Sequence, residues 1–89
     1  MMTQREREIL LILQEESAEV IQAVSKVFRF GYDSVWNEQS NKEHLEEEVG
    51  DFLAMVQIMV DIGMIDTTAI EIAKTNKITK LKKWSSIFE

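Results

Sequence analysis

The 89-residue sequence contains no cysteine, no proline and only three glycines. Without cysteine the chain has no disulfide bond and offers no thiolate ligand, which disfavours sites for soft metals. Long apolar runs are also missing, because segment 52–64 is interrupted by Gln57 and Asp61 and is too short to span a bilayer. The apolar run 9–13 near the N-terminus is too short for a signal peptide. These absences predict a soluble, cytoplasmic protein with no membrane partner.

The chain is short and acidic, and its charge is unevenly distributed. Its length suits a single domain, residues 1–89, in which one core only just offsets the entropy of ordering the chain. The net charge of -6 argues against general nucleic-acid binding. The last stretch nevertheless carries five of the ten basic residues: Lys74, Lys77, Lys80, Lys82 and Lys83. An acidic body with a basic tail suits a site for metal ions and a polyanion, although a solvated lysine face on a terminal helix explains the same pattern.

The first half of the chain predicts one long helix followed by a loop. The helix runs from about Gln4 to Phe28 and stops before Gly31, the residue type that tolerates the left-handed conformation after a helix end. Residues 29–40 are then predicted to form the one substantial loop.

The second half predicts two more helices, each with a recognisable start. Ser40 and Glu43 have the spacing of a capping box, so the second helix begins near residue 41 and runs to residue 62 or 63. Asp66 is a candidate N-cap for the third helix, from residue 67 to about 84. The predicted fold class is therefore all-α, with two long helices and a shorter third.

Hydrophobic periodicity places acidic residues inside the apolar faces of the two long helices. Glu16 falls in the middle of the apolar arc of the first helix and Glu19 on its margin. In the second helix, Glu48 lies within the apolar arc and Asp51 at its edge. Both arcs are wide, and segment 52–62 is apolar nearly all round, which indicates a helix that is covered on more than one side. We therefore expect a small helical bundle that is completed by homo-oligomerisation.

Two carboxylate pairs with the same three-residue spacing indicate a metal site. Either pair alone is explained as surface residues that reach solvent from an apolar margin. Four buried carboxylates together would repel one another severely or stay protonated. Mg²⁺ removes that objection, because it prefers carboxylate, water and phosphate oxygens, and residues at i and i+3 present their oxygens side by side. Two helices that face each other would complete a cage of four carboxylates around Mg²⁺, or Mn²⁺ in its place.

The only histidine gives no sign of a softer metal. His44 does not form the Glu-x-x-His pattern of di-iron bundles with a preceding glutamate. It lies one helical turn before Glu48, so it is either a partner of that carboxylate or a surface residue near a helix start.

The acidic segments resemble a known signature. Glu15-Glu16-Ser17-Ala18-Glu19, followed by Glu48-Val49-Gly50-Asp51, is similar to the E-E-x-x-E and E-x-x-D motifs of the all-α nucleoside triphosphate pyrophosphohydrolases. That superfamily includes MazG, dimeric dUTPases and phosphoribosyl-ATP pyrophosphohydrolase, and the resemblance spans residues 9 to about 62. It implies a homodimer or homotetramer that holds Mg²⁺ and hydrolyses a nucleoside triphosphate between its α and β phosphates. The products would be a monophosphate and pyrophosphate, in keeping with cleansing of the nucleotide pool.

The resemblance also assigns roles to the acidic residues. It makes Glu16, Glu19, Glu48 and Asp51 the metal ligands, the same four that the helical faces single out. Glu15 aligns with the first glutamate of the signature, where it is a further ligand or orients the attacking water. Glu15 and Glu19 are the candidates to accept the proton of that water.

Two further groups are predicted to contact the nucleotide. Lys74, Asn76 and Lys77 are the candidates for the phosphates, because this helix stands where such proteins carry phosphate-contacting basic residues. Four of the seven aromatic residues fall within residues 28–36. Phe30, Trp36 and Asn37 offer the stacking and hydrogen bonding that a nucleobase needs, although the same cluster would also serve to plug the end of a bundle.

Two alternative functions remain open at the level of sequence. The first is phosphoribosyl-ATP pyrophosphohydrolase, whose members usually carry a longer segment before the first glutamate pair. The second is a non-catalytic helical oligomerisation module whose acidic rims are only solvated.

Overall fold

The computed structural model describes all 89 residues and confirms the all-α prediction. The chain forms α1 (Gln4–Phe30), a two-stranded antiparallel hairpin of β1 (Val35–Trp36) and β2 (Gln39–Ser40), α2 (Asn41–Asp61) and α3 (Thr67–Trp84). No helix has an apolar stretch of the length and hydropathy that a bilayer crossing requires.

The helix ends follow local hydrogen bonding. Ser40 and Glu43 form the predicted capping box at the start of α2, and Asp66 caps α3 by accepting from the backbone N–H of Ala69 at 3.0 Å. At the end of α1, the N–H of Gly31 donates to the carbonyl of Val27 at 2.8 Å, and Gly31 has a φ of 87°. The predicted boundaries of α2 and α3 are therefore confirmed to within one or two residues.

The segment between α1 and α2 differs from the prediction of a loop over residues 29–40. α1 continues to Phe30, and the chain then makes a hairpin in which Val35 pairs with Ser40 and Trp36 with Gln39. The two residues at its tip, Asn37 and Glu38, have φ values of 55° and 65°, the positive values of a type I′ turn. The prediction missed this turn because glutamate is an uncommon residue at such a position.

The core is small and lies between α1 and α2, which run antiparallel to each other. Its buried residues are Ile9, Met55 and Met59, and partly buried side chains from α1 and from the α2–α3 connection pack against them. Ala23 is completely buried, and its small side chain allows the two helices to approach closely.

The third helix stands apart from α1 and α2. α3 has no buried residue and makes only marginal contact with α1 and α2. The whole chain measures 44 × 37 × 16 Å, so its thinnest dimension is little more than one helix diameter. A single chain therefore leaves both faces of the α1–α2 layer largely open.

Candidate functional site

Three of the predicted carboxylates meet where α1 faces α2. Glu16, Glu48 and Asp51 each offer one oxygen, and these three oxygens lie within 4.8 Å of one another. Glu48 is only 8% exposed, Glu16 is half-buried and Asp51 is exposed. We call these three residues the acidic cluster. It is open to solvent on the Asp51 side and enclosed by the helices on the Glu48 side.

The electrostatics of the acidic cluster are unfavourable without a cation. Partial burial, followed by the negative charges of Asp51 and Glu48, raises the pKa of Glu16 above its ordinary value. No lysine or arginine forms an ion pair with any of the three carboxylates. Hard oxygen donors at this spacing are the ligands that Mg²⁺ and Mn²⁺ prefer. The donor set therefore fits a divalent cation.

The two remaining glutamates of the signature lie outside the acidic cluster. Glu19 is exposed on α1, one turn after Glu16, and its carboxylate is not among the three that converge. Glu15 is also exposed. Both are near enough for their negative charges to contribute to the raised pKa of Glu16. Their roles as ligand and proton acceptor stay predictions.

His44 is not a surface residue but a neighbour of the acidic cluster. Its Nε2 lies 3.2 Å from Oε1 of Glu48, and the two side chains are 21% and 11% exposed. Of the two alternatives that its position in the sequence left open, the structure therefore supports contact with the carboxylate.

A cavity of about 490 Å³ lies on the other side of His44, which lines the cavity and contacts Glu48 of the acidic cluster. It lies between the end of α1, the hairpin and the start of α2, and is lined among others by the three predicted base-contacting residues: Phe30, Trp36 and Asn37. Its size is in the range of small-molecule sites. The aromatic rings do not plug the end of the helical layer in this chain, since Phe30 is 59% and Trp36 78% exposed.

Five polar residues of the cavity were not predicted as nucleobase contacts: Lys26, Ser34, Gln39, Asn41 and His44. The Nδ2 group of Asn41 donates to the carbonyl of Gly31 at 2.9 Å, which ties the start of α2 to the end of α1. Lys26 is half-buried one turn before Phe30. The sequence did contain a signal for two of these residues. Lys26 lies four positions before Phe30 and His44 four positions before Glu48, so each shares a helix face with a predicted residue.

The predicted phosphate-binding residues are not brought to the acidic cluster within one chain. Lys74, Asn76 and Lys77 are all exposed on α3, which stands apart from the other helices. Nζ of Lys74 lies 3.2 Å from a carboxylate oxygen of Glu71, and Nζ of Lys77 lies 5.2 Å from the centre of a Trp84 ring. Any contact between these side chains and a nucleotide at the acidic cluster depends on how chains assemble.

Comparison with known proteins gives one match. The family model described as "MazG nucleotide pyrophosphohydrolase domain" matches residues 4–85. No curated protein and no solved structure matches the chain.

Proposed function

Because the chain belongs to the MazG nucleotide pyrophosphohydrolase domain family, we propose that it is an Mg²⁺-dependent nucleoside triphosphate pyrophosphohydrolase. The substrate would be a ribo- or deoxyribonucleoside triphosphate, and cleavage would fall between its α and β phosphates. The observation that carries the proposal is the acidic cluster, in which Glu16, Glu48 and Asp51 converge without a basic partner.

The side chains of the acidic cluster have a defined task in this reaction. Glu16, Glu48 and Asp51 would hold the cation between the two helices, and Glu19 on α1 is the predicted fourth ligand. The bound Mg²⁺ supplies positive charge that offsets the charge of the phosphates and activates water.

The proposed reaction is a nucleophilic displacement at the α phosphorus. The oxygen of water attacks that phosphorus, the bond from it to the α–β bridging oxygen breaks, and pyrophosphate leaves with the bonding electrons. A carboxylate outside the acidic cluster takes the proton of the attacking water, and Glu15 and Glu19 are the candidates. Both are exposed on α1, where water reaches them.

The cavity is the proposed place for the base. Phe30 and Trp36 offer aromatic faces for stacking, and Asn37 at the tip of the hairpin offers an amide for hydrogen bonding. His44 lines the cavity and Glu48 belongs to the acidic cluster, and their backbones are four positions, or about 6 Å, apart along the axis of α2. That spacing suits a nucleotide whose base occupies the cavity and whose phosphates lie at the acidic cluster.

The phosphate end of the site is proposed to need a second copy of the chain. Lys74, Asn76 and Lys77 are exposed on α3, which stands apart from α1 and α2, and a homodimer or homotetramer is the proposed assembly that brings them to the acidic cluster of a neighbour. Large exposed apolar side chains on both long helices support such an assembly, among them Ile21 on α1 and Leu53 on α2.

The proposed activity is tested by measuring pyrophosphate release from a panel of nucleoside triphosphates with and without Mg²⁺. Glu48→Gln and Glu16→Gln are each expected to reduce the rate at least about 100-fold, because each removes an anionic cation ligand. Glu46→Gln is the matched control, since it makes the same change at an exposed position of α2 and should keep its activity.

Two outcomes would contradict the proposal. Full activity in either cluster variant would separate catalysis from the acidic cluster. An inactive wild-type chain that also fails to bind Mn²⁺ in calorimetry would instead indicate the non-catalytic oligomerisation module. Phosphoribosyl-ATP belongs in the substrate panel, because selective cleavage of that compound would identify the alternative pyrophosphohydrolase.

A further inference from the structure

Glu48 is the most enclosed member of the acidic cluster and has one side-chain partner. Its carboxylate is 3.2 Å from Nε2 of His44, and no other side chain forms a hydrogen bond or ion pair with it. The exposed fraction of the Glu48 side chain is 11%, so water offers it little alternative hydrogen bonding. His44 is therefore the one side chain placed to orient this carboxylate.

The positions of His44 and Glu48 on α2 bring their side chains together. His44 and Glu48 are one turn apart on α2, so the helix itself holds the imidazole beside the carboxylate. At 3.2 Å, the Nε2 atom of His44 is in direct polar contact with the Oε1 atom of Glu48. Contact at Oε1 leaves Oε2 of Glu48 without a protein partner.

His44 also borders the cavity. The same side chain lines the cavity formed by the end of α1, the hairpin and the start of α2. His44 thus stands between the cavity and the acidic cluster, and only 21% of its side chain is exposed. A side chain enclosed in this way is a suitable support for a metal ligand, because groups that orient a ligand set the affinity of a metal site.

We propose that His44 is a positioning residue that holds the Glu48 carboxylate toward Glu16 and Asp51 and thereby sets the affinity of the acidic cluster for a divalent cation. The inference rests on the proposed function, because it requires that the cluster binds a cation. His44 acts through Glu48 and does not itself bind the ion.

The test is Mn²⁺ binding measured by calorimetry at constant pH on the full chain. His44→Ala is expected to raise the Kd for Mn²⁺ about 10- to 100-fold, the usual effect of removing a group that orients a metal ligand. His44→Gln should restore most of the affinity, because its terminal amide places an N–H near the position of Nε2. Lys42→Ala, at an exposed position of the same helix, is the control and should bind like the wild type.

Folding effects are separated by a third variant. His44→Phe keeps the volume of the ring and removes the donor, so it should bind as weakly as His44→Ala while keeping the helical circular dichroism of the wild type. If His44→Ala does not fold, the comparison of His44→Phe with His44→Gln decides the question. A residue with a merely structural role would change the melting temperature and leave the Kd of folded variants unaltered.

The outcomes distinguish this inference from the proposed function. A folded His44→Ala or His44→Phe variant with wild-type affinity, or a His44→Gln variant as weak as them, would overturn the positioning role while the metal centre stands. A wild-type chain that binds no Mn²⁺ would overturn the metal centre and this inference together. Glu48→Gln serves as the reference for a lost ligand.

Discussion

At the scale of single residues, the convergence of three carboxylates in the acidic cluster has an energetic cost. The Glu16 carboxyl group is partly withdrawn from water and faces the negative charges of Asp51 and Glu48, so its pKa is raised above 4.5. The folded chain therefore holds this proton more tightly than the unfolded chain. As the pH rises from about 4.5 through the raised pKa, the folded state loses stability relative to the unfolded state.

The sign of this effect gives a pH-dependent prediction. Without metal at pH 7, Glu16→Gln should have a higher melting temperature than the wild type, because glutamine carries no charge to repel Asp51 and Glu48. The gain should shrink as the pH falls and disappear below about 4.5, where the wild-type carboxyl group is protonated in both states. Thermal unfolding followed by circular dichroism across this pH range measures it.

The melting temperatures of the wild type and Glu16→Gln are compared with those of a control variant, and again with Mg²⁺ added. Glu46→Gln removes the same charge from an exposed position of α2 and should show a much smaller pH-dependent gain. Adding Mg²⁺ should raise the melting temperature of the wild type more than that of Glu16→Gln, because only the intact cluster binds the ion tightly. A wild-type chain that is more stable than Glu16→Gln at pH 7 without metal would contradict the repulsion.

The pKa values of the two glutamates in the capping boxes shift downward, in the opposite direction to that of Glu16. The backbone N–H of Ser40, together with its hydroxyl, lowers the pKa of Glu43, and Thr3 does the same to Glu6. Each of these carboxylates contributes stability above the pKa of the unfolded chain, and that stability is lost as the pH falls through the lowered pKa. Acid therefore weakens the starts of α1 and α2 while it relieves the acidic cluster.

At the scale of elements, the hairpin between α1 and α2 carries strain at its tip. Asn37 tolerates a positive φ because its side chain is short and polar, but Glu38 at 65° has no such advantage. The hairpin shapes the cavity wall through Trp36 and Asn37, so its conformation bears on the proposed base site.

Glycine at position 38 is expected to stabilise the protein. Glu38→Gly removes the steric cost of a left-handed side-chain residue, partly offset by the greater entropy that glycine loses on folding. The net gain should be about 0.5–1 kcal/mol in the free energy of unfolding, measured by urea denaturation. Glu38→Ala, which removes the carboxylate and keeps the strained φ, should show no gain. Equal stabilisation by both variants would assign the effect to charge instead of strain.

At the scale of the whole molecule, one chain buries too little to be self-sufficient. Only six of 89 residues are buried, whereas large apolar side chains on α1, α2 and α3 are exposed. A chain of this length is already close to the limit at which one core offsets the entropy of folding. Association of copies is the proposed source of the missing burial.

The prediction at this scale concerns mass in solution. Light scattering coupled to size-exclusion chromatography should give the mass of a dimer or tetramer for the wild type. Leu53→Glu, which places a charge on the exposed apolar face of α2, should shift the protein toward the monomer and lower its melting temperature. Gln22→Glu adds the same charge at an exposed polar position of α1 and should leave the mass unchanged. A helical wild-type monomer at all concentrations would contradict the assembly.

Features that depend on neighbours in the chain were predictable from the sequence. The capping box of Ser40 and Glu43, the cap at Asp66 and the end of α1 near Gly31 are hydrogen bonds between residues at most four positions apart. The same local geometry predicted that acidic residues three positions apart share a helix face.

The positions of side chains from different elements were decided by the tertiary structure. The approach of α1 to α2 brings Glu16 to Glu48 and Asp51 and leaves Glu19 outside the cluster. It also encloses His44 beside Glu48, while α3 and its lysines stay apart. These distances depend on how the helices rotate and approach one another, which follows from the packing of a whole face and not from the spacing of residues along one helix.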